Sequence, residues 1–490
     1  MEVLLQNIQI FFQFIFGHLV MINLVFAVAI VFFQRKDPKS VWAWLLILYF
    51  VPVLGFIFYL LVGTDMHKKK MFRTKEIEDK LNNAIRRQEM LLLEKELPES
   101  YAEMKDYGDL VLYHLQASGA ILTDDNDVQF IVDGKEKFRR LLEDMKQARK
   151  SIHIQYYIIK DDEIFASMKE ILLMKVREGV EVRILFDGMG ARFVKPGVWK
   201  ELEALGIETA EFFPPIFGKL NLRINYRNHR KIVVIDGRIG YVGGFNVARE
   251  YVGLDEKFGY WRDTHMRITG SAVSSLQVRF ILDWNFAAKK RTLSFDQYIE
   301  EAEVNPGAHC PVQIVTSGPD SLVQSIRNTY LRLIHKAKRS IYIQTPYFIP
   351  DEAIMSALMI AVRSGVEVNI MIPCKPDHPF VYWATYSYVG ELVLQGAKCY
   401  TYNNGFLHAK GIVVDELVLS YGTANMDIRS FALNFEVNAI IYDRDKAEEM
   451  AGYFREDLKH CRLITRNAYQ GRTLLIRCKE QISRLLSPVL

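Results

Sequence analysis

Two stretches of this chain carry residues whose types and spacing suit chemistry at phosphorus. The first, HRKIVVIDGRIGYVGGFN, holds His229, Lys231, Asp236, Gly243, Gly244 and Asn246. The second, HAKGIVVDELVLSYGTAN, holds His408, Lys410, Asp415, Gly422, Thr423 and Asn425. Both obey one template: His, Lys two residues on, Asp seven on, Gly fourteen on and Asn seventeen on. Ordinary residue frequencies give the His-Lys-Asp part about 0.03 chance occurrences in a chain of this size, so a doubled template in register is a strong signal. Lysines and amides donate hydrogen bonds, which suits a phosphate whose non-bridging oxygens gain charge during displacement. One neutral imidazole can attack phosphorus while another, protonated, gives its proton to the leaving oxygen. His229 and His408 are thus the candidate catalysts, with Lys231, Lys410, Asn246 and Asn425 as phosphate-binding residues. A carboxylate would orient each ring and hold an imidazolium. Asp263 and Glu436, 34 and 28 residues after their respective histidines, are the candidates. No cofactor is required, and no HExxH or comparable metal-ligand cluster occurs.

The elements that must position these groups can be read around them. Ile232–Ile235 reads as a strand, and residues two apart share a face, so His229 and Lys231 point the same way, as do His408 and Lys410. Asp236 and Asp415 belong to the catalytic motif, but their odd offset puts them on the opposite face or in a turn, where the reading is mainly structural. The glycines allow close backbone approach, which would return Asn246 and Asn425 beside the His-Lys face. Upstream, the chain repeats itself. A strand at Val128–Val132, a helix at Lys135–Arg149 and a strand at Ser151–Ile159 are replayed by Val312–Val315, Leu322–Lys338 and Ser340–Ile349. KSIHIQYYI matches RSIYIQTPYF, and REGVEVRIL matches RSGVEVNIM. The expected fold is α/β: two tandem α/β/α units related by a pseudo-two-fold axis.

Composition bounds the rest. The 490 residues hold 62 Lys+Arg against 58 Asp+Glu, a balance too even to argue for nucleic acid. Five cysteines without a CxxC pair read as free thiols. No charged residue occurs from Ile8 to Phe33 or from Val41 to Thr64, and each run exceeds the roughly 20 apolar residues a bilayer crossing needs. The expectation is an N-terminal transmembrane hairpin. Three basic residues in the connector Gln34–Ser40 against eight from Lys68 to Arg87 put the remainder on the cytoplasmic side of the cell membrane. The expected divisions are 1–64 for two transmembrane helices, 65–107 for a basic juxtamembrane helical linker, 108–303 for the first unit, and 304–490 for the second with C-terminal helices. DGMGARF (187–193) reads as a βα turn more readily than a phosphate loop. YWATYSYV (382–389) suits an acyl-chain groove or a core helix, and Ala447–Leu490 suits either a membrane surface or packing on the catalytic units.

The duplicated HxKxxxxD motif resembles the signature of the phospholipase D superfamily. The stretches GGFNVAREYVG, FGYWRDTHMRITG, GTANMDIRSFALNFEVNA and RLLSPVL, with the N-terminal WAWLLILYFVPVLGFIFYLLVG, resemble bacterial cardiolipin synthases in particular. That resemblance spans essentially the whole chain. It implies two phospholipase D-like units and transfer of a phosphatidyl group between two phosphatidylglycerol molecules, giving cardiolipin and glycerol through a phosphatidyl-histidine. It further implies His229 as nucleophile and His408 as acid–base. The alternative is a membrane-bound phospholipase D releasing phosphatidic acid, since only the acceptor differs. The expected partners are these lipids and the bilayer, not nucleic acid, with room for a homo-oligomer.

Overall fold

Short β-branched runs alternating with amphipathic helices build the fold in two passes. The computed structural model describes residues 14, 17–18, 21, 23–25, 27–28, 38–50, 88–90, 106–214, 225–288, 291–299, 307–321 and 323–487. The chain divides into two compact units, Met1–Lys68 with Pro215–Tyr226, and Lys69–Pro214 with Arg227–Leu490. The larger unit holds both copies of the repeat.

The first pass contributes β1 (Leu122–Asp133), α1 (Gly134–Gln147), β2 (Ser151–Tyr156), α2 (Glu163–Arg177), β3 (Glu181–Asp187), α3 (Pro196–Ala204), β4 (Glu208–Phe212), β5 (Arg227–Asn228), β6 (Ile232–Ile235), β7 (Ile239–Gly243), β8 (Trp261–Thr269) and α4 (Ala272–Ala288). The second contributes β9 (Cys310–Ser317), α5 (Ser325–Lys336), β10 (Ser340–Gln344), β11 (Phe348–Ile349), α6 (Glu352–Arg363), β12 (Glu367–Pro373), α7 (Pro379–Gln395), β13 (Lys398–Tyr402), β14 (Phe406–Leu407), β15 (Gly411–Val414), β16 (Val418–Gly422), β17 (Met426–Asp427), β18 (Asn434–Ile441), α8 (Arg444–Leu458), β19 (Cys461–Leu463) and α9 (Leu474–Leu485). Helix starts are fixed by acidic caps: Asp133, Asp162, Asp351 and Asp443 each accept backbone N–H groups of the first turn.

The two sheets have matching orders, β4-β3-β2-β6-β7-β8-β1 and β13-β12-β10-β15-β16-β18-β9. In each, the first three strands are parallel and the rest antiparallel. The sheets join where β1 pairs antiparallel with β9, Leu122 opposite Gln313. Strand alternation sorts side chains between two cores. Val233 and Ile235 of β6 pack outward with Leu141, Met168 and Leu172 of α1 and α2. Ile232 and Val234 pack inward with Val413, Leu419 and Val437 of the second half. The halves therefore share one apolar interior, filled at its flanks by Val273 and Leu276 of α4 and Met450 of α8.

The repeat expected from sequence is present, with shifted ends. β1 begins earlier than Val128 because its first residues pair with β9. The strand expected through Ile349 breaks after Gln344, and Phe348–Ile349 instead pairs with β17. DGMGARF is a turn after β3, in which Asp187 Oδ1 accepts from Met189 and Gly190. All five cysteines are unpaired.

The expected hairpin and basic linker lie mostly outside the described residues. Within the smaller unit a 13-residue helix runs from Pro38 to Phe50, and Asn23 Nδ2 donates to Leu48 O at 3.2 Å. Among the described residues no helix is long and apolar enough to cross a membrane.

Candidate active site

Each motif begins on the other half's sheet. β5, just before His229, pairs parallel with β18, and the His229 N–H donates to Phe435 O at 3.0 Å. β14, just before His408, pairs parallel with β8, and the His408 N–H donates to Arg262 O at 2.7 Å. The residues following Phe435 and Arg262 are Glu436 and Asp263. The exchange therefore sets His229 Nδ1 at 2.9 and 3.0 Å from the two Glu436 oxygens. It sets His408 Nδ1 at 2.6 Å from Asp263 Oδ2. This corrects the assignment of carboxylates by sequence proximity: each histidine's partner comes from the opposite half. Both carboxylates are fully buried, yet their pKa values are lowered, because the neighbouring His and Lys groups outweigh a burial that by itself raises them.

Each lysine reaches back to the backbone of its own histidine. Lys231 Nζ donates to His229 O at 2.6 Å. Lys410 Nζ stands 2.7 Å from His408 Nδ1, 3.6 Å from Asp263 Oδ2, and also donates to His408 O. Both are buried, and burial pushes Lys231 down to about 7 and Lys410 to about 8, each opposed by the Glu436 and Asp263 carboxylates. Burial also lowers both imidazoles, His408 to about 4, with the neighbouring lysines adding to the effect. The fields of Lys231 and Lys410 reach each other and the opposite histidines, so the two motifs form one electrostatic unit.

Asp236 and Asp415 do other work. Asp236 accepts from the Arg149, Lys150 and Ser151 N–H groups at 2.8, 2.8 and 2.9 Å. Asp415 does the same for Lys338, Arg339 and Ser340 at 2.8, 2.6 and 2.8 Å. Each sits at φ 55° beyond the far end of its strand, roughly 20 Å from the motif histidine at the rise of an extended chain. Their carboxylates anchor the start of β2 and β10.

Both asparagine side chains hydrogen-bond protein groups. Asn246 Oδ1 accepts from Ile158 N at 3.0 Å and its Nδ2 donates to Tyr251 Oη at 2.9 Å, so its amide is spent on internal partners. Asn425 hydrogen-bonds Asp427, and its buried Oδ1 has no protein partner. The template position between Gly and Asn carries an asymmetry. Thr423 Oγ1 donates to Glu436. A Cβ on its counterpart Gly244 would meet Asp263 Oδ1 at 1.9 Å, so glycine is what lets that carboxylate sit there.

Aromatic rings wall both histidines, a feature the motif spacing does not mark. The Tyr157 ring lies 5.0 Å from His229, and the Trp261 and Phe406 rings lie 4.9 and 6.0 Å from His408. Tyr157 lies within reach of a sequence reading, since it belongs to the KSIHIQYYI segment of the repeat. Among the described residues no group of three or more His, Cys, Asp or Glu gathers to hold a metal.

A mixed α/β protein with two tandem, mutually completing HxKxxxxD units is of the phospholipase D class. In fold the chain matches the crystal structure of the phosphatidylserine synthase of Haemophilus influenzae Rd KW20, with a TM-score of 0.60 at 14% identity over 76% of this chain and 97% of that one. That likeness concerns the fold alone. The family described as "Cardiolipin synthase, PLD-like domain" matches residues 141–272 and 330–458, and a "Phospholipase_D-nuclease N-terminal" family matches 21–63. The major cardiolipin synthase of Bacillus subtilis (strain 168) is 50% identical over 475 residues, 96% of this chain and 97% of that protein. The cardiolipin synthase of Oceanobacillus iheyensis is 48% identical over 470 residues, 96% of this chain and 97% of that protein. The chain belongs to the bacterial cardiolipin synthases of the phospholipase D superfamily and is a phosphatidyltransferase.

Proposed function

We propose that this enzyme joins two phosphatidylglycerol molecules into cardiolipin and glycerol in one cleft shared by both motifs. His229 Nε2 attacks the phosphorus of the first lipid while His408 gives a proton to the departing glycerol oxygen. A phosphatidyl group is then bonded to His229. The glycerol hydroxyl of the second lipid attacks that phosphorus, its proton passes to His408, and the P–N bond breaks. Lys231 and Lys410 hold the non-bridging oxygens as charge develops.

The crossed carboxylates carry this reading. With Nδ1 between the two Glu436 oxygens, the His229 proton is held there and the Nε2 lone pair is left for attack. At His408 the Asp263 carboxylate lies 2.6 Å from Nδ1, where it stabilises the doubly protonated ring whose Nε2–H is the proton the leaving oxygen takes. Asp236 and Asp415 belong to the motif as anchors of the strands beneath it.

The same proposal covers the N-terminus and the division of the chain. Residues 1–64 form a two-helix membrane anchor, 65–107 a basic linker, and 108–303 and 304–490 the two units, with the cleft on the cytoplasmic side. The uncharged runs, their basic flanks and the family match at 21–63 support this. The test is a product assay on the full chain in phosphatidylglycerol vesicles. Cardiolipin and glycerol should appear in equal amounts, and His229→Ala and His408→Ala should each abolish both. Phosphatidic acid as the only product would overturn the transferase reading, and full turnover in either variant would overturn the shared cleft.

A further inference from the structure

The last helix of the second half is turned inside out. The buried residues of α9 are Glu480 and Ser483, and Ser487 just beyond it is buried too. This polar edge lies on α7: Tyr388 Oη donates to Ser487 Oγ at 3.3 Å, and Arg484 Nη2 to Glu391 Oε2 at 3.1 Å. Glu480, the one carboxylate of the helix, is held inward by Arg472 Nε at 2.8 and 2.9 Å.

The apolar side chains face away. Leu474, Leu475, Ile482 and Leu485 are 76%, 65%, 56% and 82% exposed, with Cys478 exposed among them. At about 100° per residue these five fall within an arc of about 100°, the width of a stripe that a soluble helix buries. By the same count Lys479 flanks the arc on one side, and on the other Gln481 borders it with Arg477 beyond. The face continues onto α7, where Phe380 is 52% exposed and Lys479 Nζ lies 5.3 Å over the Trp383 ring. That end of α7 borders the cleft. Thr385 Oγ1 accepts from Phe348 N at 3.1 Å, Phe348 pairs with Met426 next to Asn425, and Tyr347 donates to Asp377, whose charge is felt at Lys410.

We propose that α9 is an interfacial membrane helix, its leucine and isoleucine arc sunk among acyl chains and its flanking cations at anionic headgroups. Charge and chemistry select this occupant: the arc is wholly apolar, a cation lies to either side of it and the only carboxylate is turned inward. The docking stands on the helix itself; that it sets the cleft against the substrate's own bilayer rests on the lipid reading above.

The full chain carrying Cys374→Ser and Cys461→Ser keeps Cys478 as the accessible thiol, since Cys310 and Cys399 are buried. Labelled there with an environment-sensitive fluorophore and reconstituted into phosphatidylglycerol vesicles, it should be quenched by lipids brominated on their acyl chains. It should also be shielded about threefold from aqueous iodide relative to the unfolded chain. Free quenching by iodide would overturn the proposal, as would protection from both quenchers, which would mean that protein, such as a second copy, covers the face. Leu475→Asp combined with Leu485→Asp should abolish the acyl-chain quenching. It should lower turnover on vesicles about tenfold and leave turnover in mixed detergent micelles unchanged; equal loss in both media would count against docking. The quenching readout needs no turnover, so a failure of the catalytic reading leaves this test intact.

Discussion

At each motif histidine a carboxylate from the opposite half faces Nδ1, and a buried lysine donates to the histidine's own carbonyl. Removing a carboxylate destabilises the imidazolium beside it, so Glu436→Gln should lower the His229 pKa further with a smaller effect on His408, while Asp263→Asn should do the reverse. Histidine nitrogen NMR of the two variants distinguishes this from pairing within a half. The lysines predict the basic side of the pH profile. Their buried ammonium groups lose protons near pH 7 and 8 in the free enzyme, so kcat/KM should fall as pH rises through that window. A bound phosphate favours the ammonium forms, so the corresponding fall in kcat should lie at higher pH. That fall belongs to the coupled lysine pair rather than to either residue alone. A kcat/KM that stays flat to about pH 9 would contradict the assignment. His229, Lys231, His408 and Lys410 were legible from spacing alone. The direction of Asn246 was not, because a pattern of residue types does not reveal that Ile158 and Tyr251 consume its amide.

Among the elements, β6 and β15 fix the scale of the motif, with a histidine before each strand and an aspartate after it. Because Asp236 holds three N–H groups at the start of β2 from a left-handed position, its role is stability. Asp236→Ala should cost about 2–3 kcal/mol in urea unfolding while turnover per folded molecule stays unchanged. Asp236→Asn should cost less, since asparagine tolerates the same backbone conformation. A loss of turnover without a loss of stability would return Asp236 to the chemistry. The repeat itself was readable because alternating apolar runs mark β6, β10 and β12 whatever their neighbours. The ends of β1 and β10 were not, since they depend on pairing with β9 and on the break before β11. The inversion of α9 was equally hidden: its stripe is plain in sequence, but only the packing of Glu480 and Ser483 on α7 shows that the stripe faces out.

For the molecule as a whole, duplication has produced one site rather than two. The halves share the apolar interior of Val234, Val413 and Val437, and each lends the other a strand, β8 or β18, on which a motif histidine is hung. Sequence proximity could not show this, because Glu436 lies 207 residues from His229 in the chain. The asymmetries follow the same division: Thr423 supports Glu436, whereas Gly244 makes room for Asp263. The proposed shared cleft, with its unequal histidines, would carry one covalent lipid per chain. The most direct measurement is therefore an acid quench of the wild-type enzyme during turnover of phosphatidylglycerol, with the modified peptide located by mass spectrometry. The expected result is at most one phosphatidyl group per chain, on the peptide containing His229. Phosphatidyl groups on both histidines, or on His408 alone, would contradict it.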